Sequence, residues 1–317
     1  MYLEASLKKA RHRIMKLAFR VSLGILIITV FLLNFDPSSI SIILDNLTTI
    51  NVVIASIFIV LSTLPTLIRW VFIAKKNYIS SSAISLINYY YAGFLFNAIS
   101  PANLGGDLYK FVSVKKDTIN SNQDIVNILL HERVYGLISL FLIVCMGFLA
   151  SQNHISFING LWYEIAFTSA CLTLLLILFF KKNAIAKLNK IKFLRPILSY
   201  INFNRANFIY DINVLLLSFF GFFLWAVSIF IICYELNMNL SFSNILIISA
   251  LVEIIRFIPL TFQGIGVREP SFALLASEFF GSNFEVAFLA GLIIYACLSL
   301  VNLSLGAIFY FFSGLKH

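Results

Sequence analysis

Charge is what this 317-residue chain has least of: Asp, Glu, Lys and Arg make up 12% of it, about half the ~25% of a soluble domain. Hydrophobic residues make up 60%. No soluble core absorbs that much apolar surface, so the composition predicts an all-α polytopic membrane protein as a single domain, 1–317. Cysteine is also sparse. Cys145, Cys171, Cys233 and Cys297 all fall in apolar runs with no C-x-x-C among them, which argues against a metal site or a disulfide framework and for small packing residues. No glycine-lysine phosphate loop is present, so direct ATP drive is not expected. No cofactor is expected either.

Lys and Arg are absent from 35–49, 151–160, 237–243 and 281–283. They cluster instead at 8–20, at Lys75 and Lys76, at Lys110, Lys115 and Lys116, in 181–205 and at Lys316. The apolar runs predict spanning helices over 17–34, 50–74, 124–150, 161–180, 208–236 and 284–312. Threading these six from a cytoplasmic N-terminus puts every basic cluster inside and every bare loop outside. The net charge of +9 therefore reads as topology with some attraction to anionic lipid heads, and nucleic acid is not an expected partner. The expected location is the inner (plasma) membrane, multi-pass, with both termini cytoplasmic. The first run lacks a small-x-small cleavage site and is expected to be a retained helix.

Two further apolar stretches are broken in the middle. In 83–116 the run ends at Pro101, and Gly105, Gly106, Asp107 and Lys110 follow. In 244–280 it ends at Pro259, and Gly264, Gly266, Arg268 and Glu269 follow. The flanks of the first are basic and those of the second are bare, so each predicts a re-entrant hairpin, entered from opposite sides. Pro101 and Pro259 lie 158 apart, Gly105 and Gly264 159, Gly106 and Gly266 160. The three spans between them invert the orientation. This predicts an inverted repeat, 50–150 and 208–312, with a substrate site between its halves. Proline ends each first arm. The glycines admit a ligand or another backbone, and the second arm is expected to offer free N–H groups to an anion such as phosphate.

Nine charged residues lie in or near the apolar zone: Arg69, Asp107, Lys110, Glu132, Arg133, Glu253, Arg256, Arg268 and Glu269. Each costs roughly 2.5–3.5 kcal/mol at a helix centre, so each should be paired or face water. Asp107 with Lys110, and Glu253 with Arg256, have the spacing of local pairs. Arg268 and Glu269 are adjacent, point to different faces and need partners elsewhere, which makes Arg268 the stronger functional candidate. Arg69, near the end of its span, is read as interfacial. Arg133 has an interfacial, snorkelling alternative to a site role. Tyr89, Tyr90 and Tyr91 read as helix packing.

PANLGGD with Lys110 three residues on, HERVYG around Glu132 and Arg133, and FIPLTFQGIGVRE at 257–269 resemble the flippase-like membrane domain of the lysylphosphatidylglycerol synthase transmembrane family. That domain forms the N-terminal half of the multiple peptide resistance factor and also occurs alone. The resemblance covers essentially the whole chain. It implies translocation between leaflets of a phosphate-containing polar-headed lipid, an aminoacyl-phospholipid or a lipid-linked glycan precursor. It implies site roles for Pro101, Gly105, Gly106, Asp107, Lys110, Glu132, Arg133, Gly264, Gly266, Arg268 and Glu269, with Glu253 and Arg256 added from their depth. Lys110 stands where arginine is commoner, and Pro270 where a small residue is usual. No aminoacyl-transferase domain follows, so lipid aminoacylation is not expected. A membrane lipid with an anionic phosphate is the partner expected; a homodimer and envelope-biosynthesis enzymes stay open. Two rivals remain at this stage. One is an integral-membrane transferase acting on polyprenyl-phosphate sugars, for which Asp36 and Asp45 stand too far apart to form a carboxylate cluster. The other is a transporter of a small soluble anion.

Overall fold

The computed structural model describes residues 22–35, 40, 47–98, 100, 104–151, 167–168, 208–256, 261 and 263–314. Over these residues the protein is an all-α polytopic membrane protein. Its helices are α1 (Ser22–Leu33), α2 (Thr49–Lys76), α3 (Ala83–Ala98), α4 (Leu104–Asp117), α5 (Asn122–Ala150), α6 (Phe208–Glu235), α7 (Phe242–Ile255), α8 (Arg268–Phe280) and α9 (Phe284–Gly314). Four of them, α2, α5, α6 and α9, are long and apolar enough to cross a bilayer. Fewer than half of the residues in each apolar window are buried. Ile57, Ile68, Phe220, Leu300 and Phe311 face outward, as lipid-facing side chains do. The expected 161–180 span, apart from Phe167 and Thr168, lies outside the described residues, as do Pro101, Pro259, Cys171 and the 181–205 basic cluster.

The two interrupted stretches are helical pairs. The arms α3 and α4 pack on each other, as do α7 and α8. Arms of 16, 14, 14 and 13 residues reach about 20–24 Å, short of the ~30 Å hydrocarbon core. In the first hairpin Phe96 stacks on Tyr109 at 4.4 Å, and the backbone of Gly93 meets that of Gly106. Closure is that tight because neither glycine carries a Cβ. One placed on Gly106 would lie 2.6 Å from the Asn97 side chain and 2.7 Å from the Gly93 carbonyl oxygen.

The halves share a frame at a constant offset of 159 residues. Helix α2 ends with Ile79 N–H donating to Ala74 C=O and Tyr78 in the left-handed region at φ 57°. Helix α6 ends with Met238 N–H donating to Cys233 C=O and Asn237 at φ 52°. These are the same C-terminal cap. Ser82 accepts from the Ser85 amide at the start of α3, and Ser241 from the Asn244 amide at the start of α7, each an N-cap. Packing is reciprocal too: α3 lies on α9 and α7 on α5, while α2 and α6 form the largest contact. Gly147 on α5 admits Ile247 and Ser243 of α7, and its counterpart Gly306 on α9 admits Leu95 of α3. Close approach at small residues is how helices gain contact when lipid removes the hydrophobic drive between them.

Helix α1 docks on the second tip. Gly266 has φ +78°, and a Cβ there would lie 2.5 Å from the Gly24 carbonyl oxygen. Both the backbone angle and the space require glycine.

Candidate functional site

The charged residues converge between the hairpins. Lys110 on α4 reaches Glu132 on α5 at 2.6 Å and Asp107, one turn back, at 3.2 Å. Arg133 Nε donates to Asp107 at 2.6 Å. Arg69 on α2 reaches the other oxygen of Glu132 at 3.3 Å and donates to Ser218 of α6 at 2.8 Å. The result is one chain of alternating charge, Arg133–Asp107–Lys110–Glu132–Arg69. Its inner members Lys110, Glu132 and Arg69 are at most 9% exposed on their side chains, while Arg133 is 28% exposed. The Lys110 ammonium also lies 4.6 Å from the Trp70 ring centre, a cation–π contact that a dry surrounding strengthens. At the other tip Arg256 pairs with Glu253 at 2.5 Å.

These groups wall a cavity of about 230 Å³, with Arg69, Asp107, Lys110, Glu132 and Arg133 from the first half and Glu253 and Arg256 from the second. A second cavity of about 170 Å³ shares Tyr90, Phe94, Asn97, Phe222, Glu253 and Arg256 with it. An apolar groove of about 460 Å³ runs along the outside of the first hairpin past Leu104, Leu108, Phe111 and Leu129. Asp107 lines both this groove and the charged cavity. Leu104 and Leu108 are 53% and 64% exposed, so the groove faces the lipid.

Two expectations change. Two of the N–H groups opening α4 are not free for an anion. Gly105 N–H donates to Ser100 Oγ and Gly106 N–H to Asn97 Oδ1, each at 2.7 Å. Gly266 N–H is likewise taken, by the Glu269 carboxylate at 2.7 Å. An anion entering here would meet side-chain cations, not these amides, and Gly105 and Gly106 serve the closure of the arms. Arg69 does not reach out to solvent as an interfacial arginine would: it is 7% exposed and helps wall the cavity. Glu269, expected to need a partner other than Arg268, finds one in the Gly266 backbone.

Arg268 is brought close but not in. Its stem and that of Arg256 flank Gly264, where a Cβ would lie 3.0 Å and 3.1 Å from their Cγ atoms. Its guanidinium lies 4.5 Å from the Tyr295 ring centre. It is 1% exposed, and its Nε and Nη1 have no hydrogen-bond partner among the described residues. Residues the sequence reading passed over include Asn97, which caps Gly106, Ser218, which holds Arg69, and Tyr90, read as packing but part of both cavity walls.

Neither a search of characterised proteins nor one of solved structures returned a match. The family model described as "Lysylphosphatidylglycerol synthase TM region" matches residues 17–306. That span takes in both hairpins, every wall of the charged cavity and the apolar groove beside it, and the chain belongs to the lysylphosphatidylglycerol synthase TM region family.

Proposed function

We propose that this protein is a lipid transporter, not an enzyme, and moves a phosphate-containing polar-headed lipid between leaflets. Family membership supports a membrane protein of lipid or envelope metabolism or transport. The observation that carries the finer reading is the junction at Asp107, where a charged cavity meets an apolar groove on the lipid face. A lipid needs both: water-poor polar walls for its head and an apolar path for its tails. A soluble anion needs only the first.

In this reading the head group enters between the hairpins and meets Arg133 and Arg256, the cations of the cavity wall with the most exposed side chains. Asp107 and Glu132 hold Lys110 and Arg69 in place. The chain lies in the plasma membrane with both termini cytoplasmic, and its substrate is of the class of aminoacyl-phospholipids or lipid-linked glycan precursors.

Reconstitution tests this. Proteoliposomes holding wild type or Arg133→Ala, with head-group-labelled phospholipids and a polyprenyl phosphate, are assayed for leaflet accessibility. Exchange by wild type that the variant loses, at equal folded yield, is the expected result. Uptake of a soluble anion without lipid exchange, or turnover of a lipid-linked sugar, would overturn it.

A further inference from the structure

The described residues that the second cavity does not share with the charged one are all neutral, and several are polar. Gln263 on the second hairpin and Asn302 on α9 bring amides to its wall. Neither amide makes a hydrogen bond among the described residues. Gln263 is 6% exposed, so a partner that its amide does not find in the protein has to come from the cavity. Its backbone lies at φ 49°, in the left-handed region where glycine is at ease and a larger residue is strained. A glutamine is thus held where a glycine would be relaxed, with its amide on the cavity wall. From α2, Thr63 and Thr66 line the same space. Their hydroxyls donate to the backbone of their own helix, at Val60 C=O (2.7 Å) and Thr63 C=O (2.9 Å). Their protons being committed, they offer a guest only lone pairs.

We propose that the second cavity binds a polyol, a glycerol or sugar unit that follows the phosphate of the head group. This rests on the lipid-transport reading and deepens it. A hydroxyl both donates and accepts, and the wall answers both ways. The amides of Gln263 and Asn302 supply donors and acceptors, and the threonine oxygens supply acceptors. Trp225 and Phe222 add apolar faces for the C–H side of such a unit. The two cavities share Asn97, Glu253 and Arg256, so one head group can place its phosphate in the charged cavity and its polyol in this one. Both substrate classes named above carry that unit. An aminoacyl-phosphatidylglycerol keeps a free glycerol hydroxyl beside its ester, and a glycan precursor has its first sugar there.

The test is binding to the purified full chain in detergent, read by native mass spectrometry, with two matched pairs of probes. Dioctanoyl-phosphatidylglycerol is paired with dioctanoyl-phosphatidylpropanol, and farnesyl phosphoglucose with the propyl ester of farnesyl phosphate. The members of a pair have the same charge and tails, and differ in whether the group beyond the phosphate bears hydroxyls. The wild type is expected to hold the hydroxylated member of at least one pair about tenfold or more tightly, because a propyl group leaves buried amides without partners. The pair that shows the difference tells glycerol from sugar. Gln263→Gly removes one amide and relieves the backbone, so it should fold at least as well as the wild type. Asn302→Leu removes the other from an apolar helix. Each should weaken the hydroxylated probe about tenfold and its propyl partner less than about threefold.

Equal binding within both pairs by the wild type overturns the proposal. So do variants that weaken both members of a pair alike, since the amides would then serve only the fold. Glycerophosphoglycerol, the head without tails, bound as tightly as dioctanoyl-phosphatidylglycerol supports the polyol site and overturns the assignment to a lipid. If no probe binds and no lipid changes leaflet, the transport reading has failed, and the polyol site with it.

Discussion

Removal of the Glu132 charge is the most direct trial of the chain of alternating charges. The carboxylate accepts from Lys110 at 2.6 Å and from Arg69 at 3.3 Å, with all three side chains under a tenth exposed. In Glu132→Gln a single amide oxygen must serve two cations, and the amide nitrogen points a donor at one of them. Breaking a buried pair by removing one partner costs about 3–5 kcal/mol. Lys110 keeps Asp107 at 3.2 Å and Arg69 keeps Ser218, so the lower end, about 3 kcal/mol, is expected. Lys110→Met alone leaves Glu132 with Arg69 and Asp107 with Arg133, and should cost about 2 kcal/mol. The double variant strands one charge fewer than Glu132→Gln alone, because Lys110 is gone and Asp107 still has Arg133, while Arg69 is left with the Ser218 hydroxyl. Its cost should therefore fall short of the sum of the singles by at least about 1.5 kcal/mol. Equilibrium unfolding in mixed micelles measures all four proteins, with Trp70, beside Lys110, as a local fluorescent reporter. Costs that add to within about 0.5 kcal/mol would refute the coupling.

Arg268 should behave in the opposite way. Its buried guanidinium has two nitrogens unbonded among the described residues, so Arg268→Met is expected to stabilise the protein by about 1–3 kcal/mol in the same micelle titration; destabilisation would show that the charge is compensated. Gly106→Ala should cost about 1–3 kcal/mol by overpacking against Asn97 and Gly93. Gly281→Ala, with open space around it and φ +70°, should cost only about 1 kcal/mol of backbone strain; equal losses would remove the packing argument. Asn97→Ala uncaps Gly106 and should cost about 1 kcal/mol, with Asn97→Asp restoring most of it, as thermal unfolding in detergent would read.

Much of the fold was legible because lipid leaves a chain few choices. A run near 50–74, 124–150, 208–236 or 284–312 has to be helical to satisfy its backbone, and the four helices match these bounds to within two residues. The site was legible only in part. Asp107, Lys110, Glu132 and Arg133 could be flagged, since a charge in an apolar run demands a partner. Which partner could not be read. Arg69 lies seven residues from Lys76 and so read as interfacial, yet Ser218 and Glu132, distant in sequence, meet it deep in the protein. The capped amides of Gly105 and Gly106 were missed for a related reason. The glycines that permit an anion site also permit a tight hairpin, and only the positions of Ser100 and Asn97 decide between them.

The two halves divide fold from function along a line the offset of 159 makes visible. What repeats is structural: C-caps at Tyr78 and Asn237, N-caps at Ser82 and Ser241, close contacts at Gly147 and Gly306. What does not repeat is charge. At the first tip Lys110 has two carboxylates and an indole around it, and at the second Arg268 has an aromatic ring, its Nε and Nη1 without an acceptor among the described residues. Packing asks the same of both halves, so shared features follow from it. A buried cation with two nitrogens unbonded among the described residues is a cost that packing does not explain, and it sits one glycine away from Arg256 on the cavity wall. The second hairpin is therefore the half whose charge is least settled by the protein itself, and the half on which an anionic guest has most to gain.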